Sequence, residues 1–113
     1  MENRRQHRRI DKNINLLYCI TDVFPKKWDM SIAENISAGG VRFIVPSDLK
    51  LKDKIVQLRI QIPQLAPFIL ELEAMVVNVK LRFNVKQSDV RAKFINLSEI
   101  NKERLSVLER MIG

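Results

Sequence analysis

Arginine side chains are concentrated at the start of the chain. The segment ENRRQHRRID (2–11) holds four of them, Arg4, Arg5, Arg8 and Arg9. A planar guanidinium group holds phosphate oxygens in pairs, binds the O6/N7 edge of guanine and stacks on bases, whereas a lysine matches only the charge. The first twelve residues, called the arm below, carry five basic and two acidic side chains. The arm is therefore predicted to be a flexible basic segment that binds a phosphate-bearing ligand; a solubilising tail is the alternative.

A second polar stretch, NISAGG (35–40), follows the end of a predicted strand. Residue alternation places Asn35 and Ser37 on one face of that strand, where an amide and a hydroxyl form a compact hydrogen-bonding patch. Gly39 and Gly40 let the backbone turn sharply and let a ligand approach it. An ordinary polar turn is the alternative, since Asn, Ser and Gly are common turn residues.

Composition limits the classes of protein to which the chain can belong. Its 113 residues suit a single domain, and the 46% hydrophobic content is enough for a core. The net charge of +7 indicates an anionic partner. One cysteine and one histidine argue against a disulfide framework and against a metal site. Without a membrane-spanning run or a signal peptide, a cytoplasmic location is expected.

Alternation of period two predicts strands along most of the chain. The residues predicted to face inward are Ile14, Leu16, Tyr18 and Ile20; Trp28, Met30, Ile32 and Ile36; Val41, Phe43 and Val45; Val56, Leu58, Ile60 and Ile62; and Val90, Ala92 and Phe94. Between residues 69 and 83 the pattern changes phase. Leu70, Leu72 and Ala74 hold one parity, and Met75, Val77, Val79 and Leu81 hold the other, which predicts a β-bulge near Ala74–Val77.

The last part of the chain changes to helical spacing. Ile100, Leu105, Leu108 and Ile112 share one side, and Ser98 is a candidate N-cap. The resulting prediction is an all-β domain, a small antiparallel barrel or sandwich of about six strands, whose open end is covered by one helix. The predicted boundaries are a single domain over 1–113, with the arm at 1–12, the strands at 13–96 and the helix at 98–112.

Two motifs in this order resemble the PilZ domain, the bacterial receptor module for cyclic di-GMP. The arm contains Arg-x-x-x-Arg (Arg5 to Arg9), preceded by Arg4, and the turn has the form Asp/Asn-x-Ser-x-x-Gly (Asn35, Ser37, Gly40). The stretch AKFINLSEINKERL (92–105) resembles the end of that family, where a strand with an inward Phe leads into the final helix. The resemblance covers essentially the whole chain and implies a PilZ-type barrel.

The resemblance also implies roles for individual residues. Arg5 and Arg9 would hold the phosphates and guanine edges of cyclic di-GMP, and Arg4 would extend that grip. Asn35 would hydrogen-bond a guanine, Ser37 would contact phosphate or base, and Gly40 would keep the turn clear of the ligand. Additional candidates are Arg8, which fits if the register slips by one, Gly39 and Asn78. Three departures are Asn35 for the more usual Asp, Asn78 where many relatives have a large side chain, and Arg91 where relatives commonly have Gly.

The leading interpretation is a non-enzymatic receptor that binds cyclic di-GMP, changes conformation and signals to a protein partner of unknown identity. Control of motility or of biofilm is typical of the family. One alternative is a PilZ-like adaptor that works by protein contact without a nucleotide. A small basic nucleic-acid-binding barrel is favoured less, because most of the few aromatic side chains have inward parity. No cofactor and no catalytic set are predicted.

Overall fold

The chain forms a closed antiparallel barrel in a computed structural model that describes residues 14–62, 69–83 and 85–112, without the side chains of 111 and 112. The strands are β1 (Ile14–Ile20), β2 (Asp29–Ile36), β3 (Gly40–Pro46), β4 (Ile55–Gln61), β5 (Ile69–Leu81) and β6 (Gln87–Ile95), followed by α1 (Glu99–Ile112). Around the barrel the order is β1-β2-β3-β6-β5-β4. The predicted fold class, a six-stranded antiparallel barrel with one C-terminal helix, is confirmed.

Side-chain alternation fills the barrel as predicted in four of the strands. The inward residues of β1, β3, β4 and β6 form one hydrophobic core, in which Tyr18 and Phe43 lie with ring centroids 5.6 Å apart. Burial of each large aliphatic side chain contributes about 1.5–3 kcal/mol relative to exposure. These strands place their outward residues on the barrel surface, where the candidate site lies.

The predicted facing of β2 is wrong over its first half. Met30 is 77% exposed and Ile32 is 40% exposed, whereas Ala33, which has the opposite parity, is fully buried. The pairing of β2 with β3 shifts between Ala33 and Asn35, so Glu34 is an extra residue in a β-bulge. Because the bulge reverses the parity, Ile36 faces inward as predicted and Asn35 faces outward.

The bulge predicted near Ala74–Val77 in β5 is present, at the last residue of that range. The pairing of β5 with β6 shifts between Val76 and Asn78. Val76 is still buried, so Met75 (39% exposed) and Val77 (46% exposed) face outward, contrary to the predicted parity. The phase changes at Val77, and a single strand continues to Leu81.

Helix α1 covers the barrel end through Leu105 and Leu108, which belong to the core. Ser98 caps the helix as predicted, since its Oγ accepts a hydrogen bond from the Asn101 backbone N–H at 3.1 Å. Ile100 was predicted on the buried side but is 62% exposed, because it lies about 140° around the helix from Leu105. The first turn contacts the barrel through Asn101 instead, whose side-chain amide donates to the Glu71 carbonyl at 2.9 Å. With 14 residues, α1 is too short and too polar to cross a membrane.

Candidate functional site

The turn between β2 and β3 carries the first group of candidate residues. The Ser37 backbone N–H donates to the carbonyl of Gly40 at 2.9 Å, and the Gly39 N–H donates to Ser37 Oγ at 3.3 Å. The Ser37 hydroxyl oxygen is therefore an acceptor inside the turn, and its proton remains available to donate outward. Asn35 and Ser37 are half-buried beside each other at the end of β2.

Position 40 has no room for a side chain, because the backbone of a neighbouring strand lies against it. A Cβ at this position would lie 2.3 Å from the carbonyl oxygen of Ala92 in β6, closer than real Cβ contacts come. Neither Gly39 nor Gly40 has a positive φ, so this turn does not depend on a left-handed backbone. At Gly39, by contrast, an added Cβ would meet no heavy atom within 4 Å. The two glycines therefore differ in one respect. Both lie against β6, since the Gly39 carbonyl accepts a hydrogen bond from the Phe94 N–H at 3.0 Å, but only Gly40 has no room for a side chain.

A row of four polar side chains crosses the outer face of the barrel from this turn. Asn35 in β2 is in register with Arg42 in β3, Arg42 with Arg91 in β6, and Arg91 with Asn78 in β5. Residues that are directly opposite in antiparallel strands point to the same face, with Cβ atoms about 4.5–5.5 Å apart. We call these four residues the polar row.

Both β-bulges of the barrel lie at the ends of the polar row. Glu34 is the extra residue immediately before Asn35, and Val77 is the extra residue immediately before Asn78. Each bulge re-aims the residue that follows it, and each thereby brings an asparagine onto the outer face beside an arginine. Bulges are common next to binding sites for this reason.

Three residues of the polar row, Asn35, Arg42 and Arg91, line one groove of about 460 Å³ together with the turn. Four candidates from the sequence line it: the predicted residues Asn35, Ser37 and Gly40 and the additional candidate Gly39. The other lining residues are Val41, Arg42, Val77, Arg91, Ala92 and Lys93. Asn78, an additional candidate, ends the polar row but does not line the groove, because its bulged neighbour Val77 lies there instead. The groove is open to solvent and combines amide, hydroxyl and cationic groups.

Sequence reasoning missed two basic residues of the groove, Arg42 and Lys93, and mentioned Arg91 only as a departure from a family pattern. All three side chains are exposed. Their outward orientation could have been predicted, because in the sequence each stands between apolar residues that face into the barrel. Their convergence depends on the pairing of β3 with β6, which no single strand pattern specifies.

An ion-pair network borders the groove at Arg42. Glu34 Oε1 lies 3.5 Å from Arg42 Nε, and the other carboxylate oxygen of Glu34 is hydrogen-bonded to Arg82. Arg82 also donates to Asp89 Oδ1, from Nη2 at 2.8 Å and from Nε at 3.1 Å. These hydrogen bonds from Arg82 lower the pKa of Asp89 below its usual range. The network fixes the β2 bulge to the far end of β5.

β1 begins at the same end of the barrel as the groove. β1 begins at Ile14, which is in register with Ala33, two residues from Asn35. Arg9 precedes Ile14 by five residues, a span of at most about 18 Å when extended. The predicted site residues Arg4, Arg5, Arg8 and Arg9 lie outside the described residues.

Metal-ligating side chains do not cluster in the described part of the chain, where no group of three or more His, Cys, Asp or Glu residues could hold an ion. The groove offers nitrogen donors and one hydroxyl, a set that suits an anion or a nucleobase better than a metal.

The sequence matches one protein family over almost its whole length. Residues 3–111 match the PilZ domain. The chain belongs to the PilZ domain family. A search among curated proteins gave no match.

Solved structures with the same fold include several PilZ proteins. The inhibitor of motility MotI/DgrA of Bacillus subtilis has a TM-score of 0.76 at 18% identity, over 98% of this chain and 51% of that one. The PilZ domain of CeSA from a cellulose-synthesizing bacterium has a TM-score of 0.66 at 17% identity, over 93% and 97%. The PilZ domain of YcgR from Escherichia coli, solved with c-di-GMP, has a TM-score of 0.66 at 15% identity, over 96% and 91%. This PilZ chain thus spans about half the length of MotI/DgrA.

Proposed function

We propose that this PilZ domain is a receptor for cyclic di-GMP. The observation that carries the proposal is the groove itself, in which Asn35 and Ser37 stand beside the cationic side chains of Arg42, Arg91 and Lys93. This groove lies at the end of the barrel where β1 begins, and the arginine-rich arm precedes β1 in the sequence. A cyclic dinucleotide needs donors for its phosphodiester groups and hydrogen-bonding partners for its guanine edges, and these elements offer both.

The proposed roles follow the chemistry of each side chain. Arg5 and Arg9 of the arm hold phosphates and guanine edges, Arg4 extends that grip, and Arg8 serves if the register slips by one. Asn35 offers its amide to a guanine edge, and Ser37 donates the hydroxyl proton that its turn leaves available. Gly40 keeps the turn close to β6 and free of a side chain.

We propose that the signal is a change of surface and not a reaction. When the arm closes over a ligand in the groove, the residues exposed at this end of the barrel change, and a partner protein reads the difference. Since MotI/DgrA, which is similar in fold, is an inhibitor of motility, we propose motility as the first process to examine in cells.

Titration calorimetry of the full chain with cyclic di-GMP tests the proposal. We expect saturable binding by the wild type and a loss of at least about tenfold in Arg5→Ala and Arg9→Ala, because each removes charge-assisted hydrogen bonds. Lys12→Ala, the matched control in the same segment, should bind nearly as the wild type does. If high micromolar cyclic di-GMP gives no heat with the wild type, the proposal is wrong.

A PilZ adaptor without a ligand is the second candidate. Asn35 favours it, because an amide in register with Arg42 carries no charge to pair with an arginine, and Arg42 instead lies beside Glu34. An adaptor of this kind would keep its function in cells when Arg5 and Arg9 are replaced together, whereas a receptor would lose it.

A further inference from the structure

We propose that Arg42, Arg91 and Lys93 form a phosphate-binding element on the strands of the barrel, separate from the arginines of the arm. This inference rests on the proposed function and assigns to the three residues one phosphodiester group of the bound dinucleotide. The two sets of cations differ in position, since these three project from β3 and β6 whereas Arg5 and Arg9 precede β1.

The pairing of β3 with β6 brings the three cations together. Arg42 is directly opposite Arg91, and Lys93 is opposite Gly40, which has no side chain. Lys93 and Arg91 are two residues apart on one strand, so they share the outer face. Gly40 and Lys93 both line the groove, and because the Gly40 backbone lies directly against β6, no side chain from that position of β3 covers Lys93. One anionic group placed over the pair Arg42–Arg91 is therefore also within reach of an ammonium.

The arrangement is electrostatically unfavourable in the absence of an anion. Like charges directly opposite in neighbouring strands destabilise a sheet. Arg42 has one carboxylate nearby, that of Glu34 at 3.5 Å, and Glu34 is shared with Arg82. Among the described residues, Arg91 and Lys93 have no ion-pair partner. An anion in the groove offsets this repulsion. The three positive charges therefore lower the stability of the ligand-free protein and raise its affinity for an anion.

The groups around Arg42 and Arg91 are suited to bind a phosphodiester together with an attached base. Two adjacent guanidinium groups present several N–H donors to the tetrahedral oxygens of one phosphate. Asn35 lines the groove beside Arg42, and its amide can hydrogen-bond the edge of an attached base. Val77 supplies an apolar surface beside Arg91 for the flat face of such a base.

The test combines ligand affinity with the stability of the ligand-free protein. Arg91→Gln and Lys93→Gln should each weaken cyclic di-GMP binding by about tenfold and flatten its dependence on salt, since each removes a charge-assisted contact. Arg91→Gln should at the same time raise the melting temperature of the ligand-free protein, because the repulsion with Arg42 is lost. Arg91→Lys should keep the salt dependence but bind less tightly than the wild type, since the lysine ammonium lacks the paired, coplanar N–H donors of a guanidinium group. Lys52→Gln, which removes one exposed charge away from the groove, is the matched control and should change neither quantity.

The outcomes separate this inference from the proposed function. If the wild type binds cyclic di-GMP and the Arg91 and Lys93 variants bind equally well, the strand element is wrong and the receptor proposal stands. If the wild type binds no cyclic di-GMP, both are wrong. Equal affinity of the wild type for an arbitrary single-stranded RNA would overturn the assignment to a dinucleotide and favour a nucleic-acid-binding surface.

Discussion

The carboxylate of Glu109 in the last turn of α1 accepts a hydrogen bond from the backbone N–H of Ala38, with 3.0 Å between Oε2 and N. Ala38 lies between Ser37 and Gly39, so this bond connects the end of the helix to the turn between β2 and β3. A carboxylate at a helix C-terminus is opposed by the helix dipole. The bond to Ala38 compensates for that unfavourable position, and it makes the helix sensitive to the conformation of the turn.

Removal of this bond should destabilise the protein. We expect Glu109→Ala to lower the free energy of unfolding by about 1–2 kcal/mol, since a hydrogen bond to a charged group is lost while only a few tenths return from the helix dipole. Urea denaturation measures the change. Glu103→Ala, which removes an exposed carboxylate from the same helix, is the control. Equal stability of the two variants would show that the bond contributes nothing.

The two glycines of the turn should respond in opposite ways to the same substitution. Gly40→Ala places a methyl group against the Ala92 carbonyl, a backbone atom that cannot move aside easily, and should cost about 1–3 kcal/mol of stability. Gly39→Ala meets no neighbour and should be neutral or stabilise by about 0.4–1 kcal/mol, because alanine restricts the unfolded chain. Thermal unfolding compares them, and an equally large loss in both variants would contradict the steric argument.

The strands that alternate without interruption could be predicted from sequence alone. In β3 every second residue is apolar and buried, so the local pattern determines the facing. In β1 the inward residues are Ile14, Leu16 and Tyr18 as the pattern predicts, although Cys19, on the opposite parity, is buried too. In β2 the apolar residues Met30 and Ile32 are outside and Ala33 is inside, because the bulge at Glu34 resets the parity. A bulge is determined by how two strands pair, and this information is distributed between distant segments.

The candidate site likewise has one part that could be predicted from local sequence and one part that depends on strand pairing. Asn35, Ser37 and Gly40 belong to one short turn, whose composition made them visible in the sequence. The polar row could not be found in this manner, because Arg42, Arg91 and Asn78 become neighbours only through the registers of three strand pairs. The close approach of Gly40 to Ala92 likewise depends on β6, more than 50 residues later in the chain.

The stability of the ion-pair network should depend on pH through Asp89. Its pKa is lowered in the folded protein by hydrogen bonds from Arg82, whereas in the unfolded chain an aspartate titrates near about 3.9. The stabilisation is therefore fully present above about pH 4 and is lost as the pH falls through the lower folded pKa. We expect the difference in unfolding free energy between the wild type and Asp89→Asn to be largest near neutral pH and to shrink in acid.

Asp22→Asn is the control for this pH dependence. The pKa of Asp22 is also lowered, mainly by a hydrogen bond from Lys54, but both side chains are well exposed. Solvent screens such a pair, so its removal should change the stability little at any pH. If the two variants gave the same pH profile in urea denaturation, the network around Arg82 would be no stronger than a surface ion pair.

Tyr18 should titrate far above the usual range of a phenol. Its side chain lies in the barrel core, and burial, with smaller contributions from Asp29 and Asp48, raises its pKa to about 12. The chain has one tyrosine, so the ultraviolet absorbance of the phenolate reports this group alone. In urea the midpoint should return to about 10. Because the folded pKa is raised, the stability is unaffected below about pH 10 and falls as the pH increases through 12. A native midpoint close to that in urea would mean that water reaches the Tyr18 hydroxyl and that the core is open at this position.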